Sequence, residues 1–181
     1  MVKPMEGQLM MIRYSKIACV ASIALFASLV AFGNITDYGS NLAFVQHVLR
    51  MDTIFPDATI HYRAIQSPFV HHLTYGLIIF LEALTAVVCW LGAWRLVLVV
   101  RQPAKVFNRA KSCAVAGLTL GFLVWQVGFM SIGGEWFGMW MSAEWNGVPS
   151  AFRFFVAIIL VLIYLVQPDT DSQPEDEAWR H

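Results

Sequence analysis

The chain has 181 residues, of which 58% are hydrophobic and 13% charged, against roughly 45–50% and about 25% in an ordinary soluble domain. So apolar and aromatic a composition excludes intrinsic disorder and argues against a soluble α/β enzyme. Twelve Lys and Arg balance twelve Asp and Glu, so no basic surplus points to nucleic acid, and the expected environment is a lipid bilayer.

A spanning helix needs roughly 20 mostly apolar residues to cross about 30 Å of hydrocarbon. The first such stretch covers about residues 17–35. Its basic start and the small residues near Gly33 also fit a cleaved signal peptide, but the run is longer than most signal cores, so a retained helix is expected. Asp37 and Tyr38 follow, then Ser40, placed to cap a helix with Leu42, Val45, Val48 and Leu49 on one face. That spacing suits a helix lying at the headgroups. Pro56 sits where another helix could begin.

The second stretch, about 69–94, carries Glu82 near its centre. An ionised carboxylate there costs several kcal/mol unless paired. No Lys or Arg lies at that depth. Gln126, near the middle of the third stretch (about 113–132), is the expected hydrogen-bond partner, with Thr85 and Thr119 in support. Glu82 then either ties two helices together as a neutral hydrogen-bonding group or forms a proton or cation site. Gly117 and Gly121 make one GxxxG, which fits an internal contact and an oligomer equally. The second outer loop holds Glu135, Trp136, Phe137, Trp140 and Trp145. Such aromatics either anchor a loop at the membrane interface or offer a surface to a partner. The fourth stretch, about 151–166, ends the membrane domain of residues 1–167. Residues 168–181 are acidic and contain proline, which predicts a disordered tail.

Nine Lys and Arg flank the termini and the middle loop, whereas Arg50, Arg63 and Arg153 stand alone on the other side. The expected orientation therefore places both termini in the cytoplasm. The halves also resemble each other. Asn34, Ile35, Asp37, Tyr38 and Gly39 follow the first stretch, as Ser131, Ile132, Glu135, Trp136 and Gly138 follow the third. Tyr62-Arg63 precedes the second as Phe152-Arg153 opens the fourth, and Pro149 matches Pro56. The expected fold is all-α: four transmembrane helices as two pseudo-repeated hairpins with amphipathic outer loops.

Recognisable catalytic chemistry is sparse. No Gly-rich phosphate loop or G-x-S-x-G elbow occurs. Cys19, Cys89 and Cys113 all fall in or near spans, which offers no disulfide framework. His47, His61, His71 and His72 lack metal-ligand spacings, so neither metal nor haem is expected.

Asp37-Tyr38-Gly39-Ser40-Asn41, the following Phe44-Val45-Gln46-His47-Val48-Leu49, and Met51-Asp52-Thr53 with Phe55-Pro56 form one signature. Gly133-Gly134-Glu135-Trp136-Phe137, Met139-Trp140 and Trp145-Asn146-Gly147 form its companion. Together they resemble the bacterial family of predicted small integral membrane proteins, domain of unknown function 2165. The resemblance covers about residues 11–166 and implies a four-helix inner-membrane protein without an assigned activity. Some small multi-pass proteins of this kind resemble immunity partners of antibacterial effectors. The expectation is a non-enzymatic, cofactor-free protein that binds a protein partner or its own copies. Its candidate contacts are Asp37, Tyr38, Arg63, Glu135, Trp136, Trp140, Trp145 and Arg153. The alternative is a small proton- or cation-coupled conduit built on Glu82 and Gln126.

Overall fold

The computed structural model describes residues 4–171. Five helices order them: α1 (Pro4–Thr36), α2 (Tyr38–Arg50), α3 (Pro68–Leu98), α4 (Ala104–Leu123) and α5 (Val148–Val166). A π-helical segment, Val124–Trp136, continues α4. Four of these stretches are long and apolar enough to span a bilayer: Gly7–Thr36, Pro68–Leu98, Ala104–Trp136 and Val148–Val166. Each expected span is present and longer than the apolar run alone indicated. The 33 residues of α1 measure about 50 Å at ~1.5 Å per residue, more than the hydrocarbon needs, so its polar first turns project beyond it.

The spans form a ring in the order α1, α3, α4, α5, with α5 returning to α1. Large apolar side chains such as Leu25, Leu29, Phe80, Leu91 and Leu160 point outward, as a lipid-facing surface requires. The inward contact between α3 and α4 rests on small residues. A Cβ on Gly92 would lie 2.5 Å from the Ala114 Cα, and one on Gly117 would lie 2.7 Å from Cys89 Sγ. The GxxxG pair therefore belongs to the internal α3–α4 contact.

α2 begins two residues before the expected Ser40 cap. The Asp37 amide donates to the Gly33 carbonyl at 2.9 Å, so helical hydrogen bonding runs almost unbroken through the corner, and no side chain caps α2. Val45 and Leu49 are its buried residues and pack in one cluster with Ile54, Tyr75 and Phe137. Pro149 stands in the first turn of α5, but Pro56 lies in a non-helical turn, and Pro68 opens α3 instead. The segment before α5 has only the short Met139–Met141 turn where the segment between α1 and α3 has α2. Gly138, at φ 66°, ends the π-helical segment in the left-handed conformation that favours glycine.

The start of α1, the α3–α4 turn and the end of α5 meet on one face, here the terminal face. Residues 168–171, expected at the head of a disordered tail, are ordered there. Lys16 Nζ contacts Asp169 Oδ2 at 2.8 Å, Lys111 joins the same oxygen, and all three side chains are no more than 6% exposed. Both lysines also donate to the Gln167 carbonyl at 2.7 Å, and Arg13 donates to the Val100 and Gln102 carbonyls at 2.9 and 2.6 Å. Burial alone pushes the Asp169 carboxyl up, but hydrogen bonds and charge from Lys111 and Lys16 outweigh it and hold the group below its usual range. The order arises because these cations would otherwise be buried without a counter-charge. Glu175, Asp176 and Glu177 lie outside the described residues.

Candidate functional site

Two buried stripes bring the membrane-embedded polar groups together. On α1, Val20, Ala24, Ala27 and Ala31 recur at helical spacing, and Asn34 follows three residues later. On α3 the buried stripe includes His71, Tyr75, Glu82 and Cys89. Asn34 Nδ2 donates to Glu82 Oε2 at 2.7 Å, and the Tyr75 hydroxyl donates to the Asn34 carbonyl at 2.8 Å. Glu82 is 1% exposed. It lies 14 residues after Pro68, which at ~1.5 Å per residue places it about 21 Å along α3, deep in the span.

The expected Glu82–Gln126 pair is not formed. Trp125, four residues beyond Gly121, takes the buried position, and Gln126 falls one residue off that stripe, half-exposed. Thr119 is exposed, and Thr85 returns its hydroxyl to the Leu81 carbonyl at 2.8 Å. Asn34 is the partner missed in the sequence, although its position three residues beyond Ala31 continues the alanine stripe.

Glu82 and Asn34 line a cleft of about 330 Å³. Phe44, Tyr75, Trp125, Phe129 and Phe154 supply aromatic walls, while Asn41, Asn146 and Ser150 line the end toward the α2 face. Toward the terminal face, Phe26, Trp125 and Phe154 meet one another at ring separations of 5.5, 4.8 and 5.9 Å. Gly121 closes tightly on Thr85 beside them, where an added Cβ would sit 2.9 Å from Thr85 Cγ2. The cleft is therefore blind at its inner end. The π-helical segment contributes Trp125 and Phe129, and such wide turns recur at functional sites.

Above the cleft the two segments of the α2 face, one between α1 and α3 and the other before α5, grip each other. The Arg63 guanidinium lies 4.4 Å from the Trp136 ring centroid and donates to the Trp136 carbonyl at 3.1 Å. Phe55 meets Trp140 edge-on at 5.8 Å, and His47 stacks on Trp145 at 4.5 Å. Trp136 and Trp140 nevertheless remain 52% and 46% exposed. Tyr38 packs on Tyr75 and hydrogen bonds His72 Nδ1 at 2.8 Å. Asp37, Glu135 and Arg153 are exposed, with Arg153 donating within α5 to Ser150 Oγ and the Pro149 carbonyl. Among the described residues, the histidines do not gather with Cys, Asp or Glu into a metal-binding group.

No curated protein and no solved structure matches the chain. The family described as predicted small integral membrane protein, DUF2165, matches residues 12–168. That interval takes in the first span from residue 12 and the other three whole, with both segments of the α2 face and the Asn34–Glu82 pair, and the chain belongs to this family of integral membrane proteins.

Proposed function

We propose that this integral membrane protein acts by binding, without catalysis, and engages a protein partner at its α2 face as an accessory or immunity-type subunit. The observation that carries this reading is the blind cleft. A conduit needs a path past Glu82, whereas the aromatic contacts of Phe26, Trp125 and Phe154 fill that route. The rim fits a recognition surface: Trp136 and Trp140 are half exposed yet fixed by Arg63 and Phe55. Pre-positioned aromatics lose little freedom on binding, as interface hot spots do. With the termini in the cytoplasm of a bacterial inner membrane, this face lies outside the cell membrane.

The test is affinity capture from membranes in mild detergent, comparing the wild type with a Trp136→Ala/Trp140→Ala variant. A stoichiometric partner is expected with the wild type and at least tenfold less of it with the variant, at equal membrane content. Capture of the chain alone, or unchanged capture by the variant, overturns the surface. A proton or cation flux in proteoliposomes that Glu82→Gln abolishes would favour the conduit.

A further inference from the structure

The base of the cleft holds a buried acid with one oxygen engaged. Glu82 Oε2 accepts from Asn34, and Oε1 has no hydrogen-bond donor among the described residues. Around the cleft, α1 offers Val30 and Asn34, α2 offers Asn41, Phe44 and Val45, and α5 offers Ser150, Ala151 and Phe154. The π-helical segment adds Trp125 and Phe129, and α3 adds Tyr75 and Ile78. None of these carries a positive charge. Of the terminal-face cations, Arg13, Lys16 and Lys111 are committed to Asp169, and Arg63 is held at Trp136.

We propose that the cleft is a binding site for an alkylammonium group, received between aromatic faces with Glu82 behind it. Aromatic rings present negative faces and attract organic cations, most strongly where water is excluded, and the Glu82 carboxylate would supply the counter-charge. An anion would meet both the acid and the ring faces with the wrong sign. An apolar occupant would leave Oε1 buried without a donor. The volume is near the lower end of the ~300–1,000 Å³ typical of small-molecule pockets, the scale of a headgroup or short amine. On the α2 face, five acids (Asp37, Asp52, Asp57, Glu135 and Glu144) outnumber Arg50, Arg63 and Arg153, which favours the approach of cations. This assignment goes beyond partner binding at the rim and names the chemistry that the cleft receives. The group can come from a free amine or from a phospholipid headgroup.

Choline and its neutral isostere 3,3-dimethylbutan-1-ol serve as probes, titrated calorimetrically into the full chain in phosphatidylglycerol nanodiscs. Choline is expected to bind at least tenfold more tightly than the isostere, and Glu82→Gln to weaken it at least tenfold. Ser150→Trp, which narrows the cleft while leaving Asn34 and Glu82 in place, is expected to weaken it too and carries the test if Glu82→Gln does not fold. Repeating the titration in phosphatidylethanolamine nanodiscs separates the sources: weakened choline binding identifies the headgroup as occupant, and unchanged binding identifies a free amine. Equal affinity for both probes, choline binding that neither substitution weakens, or no choline binding overturns the assignment. None of these results alters partner capture through Trp136 and Trp140, so the two readings fail separately.

Discussion

Asp169→Leu tests whether the terminal face is locked by its buried charges. Asp169 is 4% exposed in its side chain and faces Lys16 and Lys111, at 2% and 6%. Removing one partner of a buried ion pair costs about 3–5 kcal/mol, because the remaining charge stays buried without compensation. Here the lysines keep Gln167 O, and Lys111 keeps Asn108 Oδ1 at 2.7 Å, so the lower end, about 3 kcal/mol, applies. That corresponds to a shift of roughly 150-fold in the folding equilibrium, at about 1.4 kcal/mol per factor of ten. Reversible unfolding in mixed micelles with increasing dodecyl sulfate measures it. The companion Lys111→Met/Asp169→Leu variant should recover part of the loss, because one stranded cation is gone and apolar side chains replace it. A loss below about 1 kcal/mol, the range of exposed surface pairs, would refute a buried lock.

The same carboxyl fixes a pH dependence. Asp169 is held below its ordinary value of 3.8, so its contribution is fully present well above that pH and is lost as pH falls through the lower, folded value. Labelling of a cysteine introduced at Leu165, fully buried at the end of α5, should stay slow from pH 5 to 8 when rates are corrected for thiolate content. Exposure within that window would remove Asp169 as the controlling group. For the α3–α4 contact, Gly92→Val places branched carbons where even a Cβ would lie 2.5 Å from Ala114. Such overpacking should cost about 1–3 kcal/mol in the micelle assay, whereas Gly76→Val, where an added Cβ meets nothing within 4 Å, should cost much less. Equal losses at both positions would dismiss close packing as the cause.

The number, order and rough limits of the spans were legible in the chain because crossing hydrocarbon is a one-dimensional demand: enough consecutive apolar residues, with backbone groups satisfied inside each helix. The amphipathic face of α2 was legible for a similar reason, since its apolar period lies within one short segment. Which polar residue reaches Glu82 is a question of three-dimensional phase. Gln126 matched it in depth, but the helix presents Trp125 inward, and Asn34 arrives from α1 because the alanine stripe turns it toward α3. Composition likewise makes Asp169 part of a solvated acidic tail. Only the convergence of Lys16 from α1 and Lys111 from α4 at the end of α5 turns it into a buried counter-charge. Hydrophobicity is additive along a chain and can be read there. Charge compensation depends on which helices meet, and the fold alone decides that.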